Sequence, residues 1–140
     1  MQVIEAAIRA SEMTHHGQIR FAVEAALDLL PLLRNQSARG RAIDVFSLLR
    51  VWDTEHNNGV LIYLLLADRD VEIVADRGVS HLVAPAEWER ICRDMERAFR
   101  DGRFEEGVLA GIRAVSAHLV RHYPGESKSL NELPDQPVVL

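Results

Sequence analysis

The sequence predicts an α/β domain built on a small mixed sheet, and three observations carry that expectation. Gln18–Glu24 alternates, with Ile19, Phe21 and Val23 on one side and Gln18, Arg20 and Glu24 on the other. Val60–Ala67 is apolar on both faces, and Val71–Ala75 follows after the short polar stretch Asp68-Arg69-Asp70. The C-terminal half then carries two long apolar stripes at helical spacing. Strand, helix, strand, strand, helix, helix is the order of a layered α/β domain, β-α-β followed by an antiparallel hairpin and two helices.

Each element has a local reason. Val3–Met13 places Ile4, Ala7, Ile8 and Ser11 on one helical face, with Glu5 and Arg9 spaced as an i,i+4 pair; Gly17 breaks it. Gln18–Glu24 reads as a half-buried strand. Ala25–Gln36 is open to two readings, a helical turn or a packed loop, because Pro31 interrupts it. Ser37 suits the N-cap of a helix with the stripe Ala38, Ala42, Val45, Phe46 and Leu49. A right-handed crossover then makes Gln18–Glu24 and Val60–Ala67 parallel. A run with no polar face belongs at the centre of a sheet covered on both sides. Asp68-Arg69 is the hairpin turn. Pro85 fits a first helical turn, and Trp88, Ile91, Met95 and Phe99 form the buried stripe behind it. Gly102 supplies a left-handed stop. Phe104, Val108, Ile112, Val115 and Leu119 mark the last helix, ended by Pro124-Gly125. Residues 1–123 are expected to form the domain and 124–140 an extended tail, whose Val138-Val139-Leu140 can pack on a sheet edge.

Composition narrows the function classes. The chain has 140 residues, a net charge of −5 and 48% hydrophobic residues, the size and content of one domain with a core. The acidic balance argues against nucleic acid, and Arg39 with Arg41 make no phosphate track. Cys92 is the one cysteine, so a reducing compartment such as the cytoplasm is compatible. The start MQVIEAAIRASE lacks the basic and apolar regions of a signal peptide, and Val60–Ala67 is too short to cross a bilayer as a helix. A soluble, cytoplasmic protein without direct membrane insertion is expected.

The hairpin brings its polar ends together, so Asn58-Gly59 should lie beside Asp76-Arg77-Gly78. Parallel pairing adds Glu12, His15 and His16 to the same edge. Asp53, Glu55, Asn57 and Asp76 are therefore candidate metal ligands, and Glu12, His15, His16, Asn58, Gly59, Arg77 and Gly78 candidate ligand-edge residues. Asp53-x-Glu55-x-Asn57 opens like a calcium loop. Asn58 and Leu64 stand where an EF-hand needs Gly and Glu, so that loop is rejected. Hard oxygen donors would favour Ca2+ or Mg2+. The competing account is that Asp53 and Asn57 cap turns, that His15-His16 is a polar loop, and that Gly78 serves a turn at positive φ. His118 and His122 have metal-ligand spacing, but HLVRH lacks the glutamate of zinc proteases, and a helix C-terminus explains both. Cys92 reads as packing, and Trp52 and Trp88 as core or near-core anchors. No G-x-S-x-G, P-loop or dinucleotide glycine pattern occurs.

Four segments together resemble the TPM-domain family over roughly residues 1 to 122. They are Gly17-Gln18-Ile19, Asn57-Asn58-Gly59-Val60-Leu61, Val71-Glu72-Ile73 and the helix link Phe99-Arg100-Asp101-Gly102-Arg103-Phe104-Glu105-Glu106-Gly107. The resemblance implies a three-layer α/β/α sandwich. It also implies roles in the assembly or maintenance of membrane complexes, with calcium binding and weak acid phosphatase activity in some members. The chain departs from the pattern at Asp76-Arg77-Gly78, where the family often has G-x-G, and at Ala84-Pro85-Ala86, where it often has an acidic residue. With Trp52-Asp53-Thr54-Glu55, the chain resembles a soluble bacterial branch. The expected function is an interaction or assembly module for a membrane-associated protein partner, with a divalent cation at the polar edge. The alternative is a weak metal-assisted acid phosphatase.

Overall fold

A computed structural model of the chain describes residues 2–27, 36–125 and 133–140. Helix α1 (Gln2–Glu12) leads into strand β1 (Gln18–Glu24), helix α2 (Ala38–Leu48) and strand β2 (Gly59–Leu65). Strand β3 (Asp70–Ala75) and the short helix α3 (Arg77–Ser80) follow, then α4 (Pro85–Arg100), α5 (Phe104–His122) and β4 (Val138–Val139). The ambiguous Pro31 region, residues 28–35, lies outside the described residues. The sheet order is β3-β2-β1-β4. β1 runs parallel to β2 from Gln18 opposite Gly59, and β3 returns antiparallel with Val60 opposite Ala75. The tail supplies β4, parallel to β1, and the Leu140 N–H donates to the Val23 carbonyl.

Pleat alternation divides the core into two layers. Val60, Ile62 and Leu64 face α1, α4 and α5 together with Ile19, Phe21, Val23 and Ile73. Leu61, Tyr63 and Leu65 face α2 with Ala22, Val45, Val51, Val74 and Leu133. This is the three-layer sandwich, with β2 buried along its whole length. The strand is shorter than its apolar run. It stops at Leu65, and Leu66 is exposed in the hairpin loop, where Arg69 at φ 51° donates its N–H to the Leu66 carbonyl.

β1 is more buried than alternation predicted, because α2 and the tail cover its polar face. Glu24 accepts from Tyr63 Oη at 2.7 Å and from Arg41 Nε at 2.8 Å. Gln18 Oε1 accepts from the Leu133 N–H, and Arg20 donates to the Pro134 and Gln136 carbonyls. A buried polar group needs such partners, and here each satisfied group also ties a neighbouring segment to the sheet.

At the helix ends the local chemistry is as the sequence indicated. The Ser37 hydroxyl accepts from the Gly40 N–H, Pro85 sits in the first turn of α4, and Gly102 adopts φ 77° between α4 and α5. Phe99 stacks on Phe104 across that link, with centroids 4.9 Å apart. No helix among the described residues is long and apolar enough to cross a membrane.

Leu64 is 1% exposed between the strands and the α4–α5 layer. Leu64→Ala should therefore cost about 2–5 kcal/mol in a denaturant melt. A loss below about half a kcal/mol, the size expected of a surface change, would contradict this packing.

Candidate functional site

The two polar ends of the hairpin meet as the register requires. The Asp76 N–H donates to the Gly59 carbonyl at 2.8 Å, and the Gly78 N–H to the Asn57 carbonyl at 2.9 Å. The approach is closer than a side chain allows. A Cβ on Gly59 would lie 2.2 Å from the Val51 carbonyl oxygen, and one on Gly78 would lie 2.5 Å from that of His56. Gly78 thus serves the close packing of α3 against the carbonyls of His56 and Asn57. The positive-φ turn weighed for it is not found there, and the left-handed residue of this loop is Asn57, at φ 51°.

Asn58 joins the third segment to this edge. It is fully buried. Its Nδ2 donates to the His16 carbonyl at 2.9 Å, its own carbonyl accepts from the Gln18 N–H, and its N–H donates to Thr54 Oγ1. Its Oδ1 is buried with no hydrogen-bond partner among the described residues, and so is Asp76 Oδ2. The other Asp76 oxygen caps α3, accepting from the Arg77 backbone N–H at 2.7 Å. It is the Arg77 backbone, not a guanidinium contact, that the structure shows on Asp76.

The remaining acids stand on the exposed loop. Asp53 pairs with Arg50 at 3.1 Å, and Glu55 lies 3.9 Å from His56. The Arg50 guanidinium also sits 5.3 Å from the Trp52 ring centroid. Trp52 is 47% exposed, a correction to its reading as a core or near-core anchor; Trp88 is buried as expected. Val51, one residue earlier, fills the core position instead, and Trp52 turns outward. Among the described residues, no three His, Cys, Asp or Glu side chains converge as metal ligands. Thr54 and Gln18 are the participants that sequence reasoning missed. Both are ordinary polar residues whose roles arise only from the pairing of distant segments.

The segment before β1 is locked rather than open. The His16 N–H donates to the Tyr123 carbonyl, and His15 bridges to Pro124. His15 is buried, with Nε2 2.8 Å from Ser11 Oγ, and burial lowers its pKa to about 4. Glu12 moves oppositely: burial and its hydrogen bond with Asp135 raise it to about 9. One of its oxygens faces the Ile19 N–H at 3.4 Å. Away from this edge, His118 lies 5.4 Å from the Trp88 ring, with Nε2 4.0 Å from Glu87. Cys92 is buried, its thiol pushed up to about 12 by burial, which suits packing rather than nucleophilic attack.

Comparison with known proteins agrees with this architecture. The family model of the TPM domain matches residues 1–118. The solution structure of the BA42 protein from the psychrophilic bacterium Bizionia argentinensis superposes with a TM-score of 0.85 at 28% identity. That match covers 99% of this chain and 91% of the other. The N-terminal domain of a P. gingivalis protein gives a TM-score of 0.69 at 21% identity, over 91% and 78% of the two chains, and supports the fold alone. No curated protein matches the chain.

Two opposed pH effects follow. A histidine held near 4 in the folded state, against 6.5 when unfolded, contributes its stability above pH 6.5 and loses it as pH falls toward 4. Glu12, held near 9 against 4.5, contributes below pH 4.5 and loses it as pH rises toward 9. By NMR, the His15 ring should titrate near pH 4. The parent chain should also lose stability relative to Glu12→Gln as pH rises from 4.5 to 9. A His15 midpoint near 6.5, or a pH-independent gap to the variant, would contradict this burial.

Proposed function

The chain belongs to the TPM-domain family, and on that premise we propose that it is a cytoplasmic interaction or assembly module. Its partner is a membrane-associated protein, docked on the loop from Trp52 to Asn57. The observation that carries this reading is the exposed indole of Trp52 on a loop clamped at both sides. Exposed tryptophan beside arginine is the composition of binding hot spots, and a loop fixed before binding loses little entropy on docking. Asp53 and Glu55 give the rim negative charge.

A divalent cation belongs to the same proposal. Asn58 Oδ1 and Asp76 Oδ2 are buried oxygens of the kind that Ca2+ or Mg2+ takes, and both lack hydrogen-bond partners among the described residues. Asp53, Glu55 and Asn57 are the exposed oxygen donors of the adjacent loop. Among the described residues these acids do not converge as a ligand set, and Asp53 is paired with Arg50, so cation binding requires the loop to rearrange and is expected to be weak.

Two measurements test the reading. Ca2+ or Mg2+ should raise the melting temperature relative to chelator, because a ligand of the folded state stabilises it. Asp76→Asn should remove much of that rise, and His118→Ala should leave it. Identical melts in calcium and chelator would remove the cation and leave a protein-binding surface. Capture of a partner from native membranes should be lost with Trp52→Ala; undiminished capture would contradict the surface. Metal-dependent hydrolysis of an aryl phosphate would favour the phosphatase alternative instead.

A further inference from the structure

β3 is the other edge of the sheet, and its outer side is prepared for a strand. Among the described residues it pairs with β2 on one side only. In an antiparallel pair, alternate residues turn both backbone groups outward. The inward bond of Asp76 to Gly59 fixes the phase, so Val71, Ile73 and Ala75 are the outward residues. Side chains of the chain itself now meet these groups. The Val71 N–H donates to Glu96 Oε2 at 3.0 Å, Arg39 Nη1 donates to the Ile73 carbonyl, and the buried Cys92 thiol accepts from the Ile73 N–H. Arg39 is half exposed, so its contact can be released into water.

Between this edge, α4 and Arg39 runs a groove of about 380 Å3. Four carboxylates, Asp70, Glu72, Glu89 and Glu96, line it against two guanidiniums, Arg39 and Arg93. The crowding is felt: burial and the nearby Glu96 raise Asp70 to about 6. Trp88 lines the same groove at 8% exposure, and its indole Nε1–H has no hydrogen-bond partner among the described residues. Because Trp88 lines the groove, its indole resonance reports occupation of it.

We propose that this groove docks an extended, basic peptide segment of a partner protein, which adds a strand to β3. The peptide backbone takes over the Val71 N–H and the Ile73 carbonyl. Glu96 and Glu72, released from the chain's own groups, then face Lys or Arg side chains of the incoming strand. The six residues of β3 span roughly 20 Å, so about six peptide residues suffice. A second copy of β3 is the poorer occupant, because it would bring the same carboxylates against this groove. The site is separate from the Trp52 loop and does not rest on the reading given to that loop.

The test is an NMR titration of the full chain with an acetylated Lys-Val-Lys-Val-Lys-Val hexapeptide. Saturable shifts are expected at the Val71 and Ile73 amides and at the Trp88 indole N–H. Glu89→Lys, at a largely exposed position, should weaken binding roughly tenfold without altering the melt. The same peptide N-methylated at alternate residues should fail to bind, since it cannot complete a ladder. No shift at these amides, equal binding of the methylated peptide, or shifts confined to residues 52–58 would each overturn the proposal.

Discussion

Asn58 is the residue on which the polar edge of the sheet depends. One buried amide holds the start of β1 through the His16 carbonyl, while its own backbone accepts from Gln18 and donates to Thr54. Those bonds set the parallel register of Gln18 opposite Gly59. The register in turn places Gly59 against Val51 and brings Asp76 and Gly78 onto the same loop. A buried amide is costly unless paired, so the loop has one low-energy arrangement rather than many. The exposed groups, Trp52, Asp53 and Glu55, therefore stand on a base that is already ordered.

The second face of the sheet is organised by a different polar anchor. Glu24, Tyr63 and Arg41 form a satisfied network that fastens α2 over β1 and β2. Arg41 holds the Glu24 carboxyl below its usual range despite burial, through two hydrogen bonds and direct attraction. Removing one partner of such a pair leaves a buried charge and costs about 3–5 kcal/mol, so this contact fixes geometry more than it adds net stability. The two edges of the sheet are managed differently. The described tail covers β1 with β4, whereas among the described residues the outer side of β3 is met by side chains, those of Arg39, Glu96 and Cys92. Charged side chains on an edge strand oppose indiscriminate pairing while leaving room for a complementary strand.

Much of this was legible in the sequence because its signals are periodic. β1 begins and ends where the alternation does, and the uninterrupted apolar run announced a central strand. Gly59 and Gly78 at one end of one hairpin followed from the two runs and the turn between them. The misses share a cause. Trp52 lies outside the core because Val51, its neighbour, takes the buried position, and hydrophobicity alone does not choose between adjacent residues at a helix end. Gly78 is required by the nearness of two carbonyls, a long-range fact with no local signature. The sequence places Asp53 on the same edge as Asp76, but Arg50, three residues away, reaches Asp53 first. β1 read as half-buried because the residues that satisfy its polar face lie on α2 and near the C-terminus.

Hydrogen exchange in Asn58→Ser tests the clamp most directly. Serine is too short to reach the His16 carbonyl and leaves the hydrophobic layers untouched. If Asn58 organises the edge, amide protection at Gln18 and Gly78 should fall together, while Ile62 and Leu64 in the middle of β2 keep theirs. Unchanged protection at Gln18 and Gly78, with the Trp52 loop as ordered as before, would contradict the account and show that the strands alone set the edge.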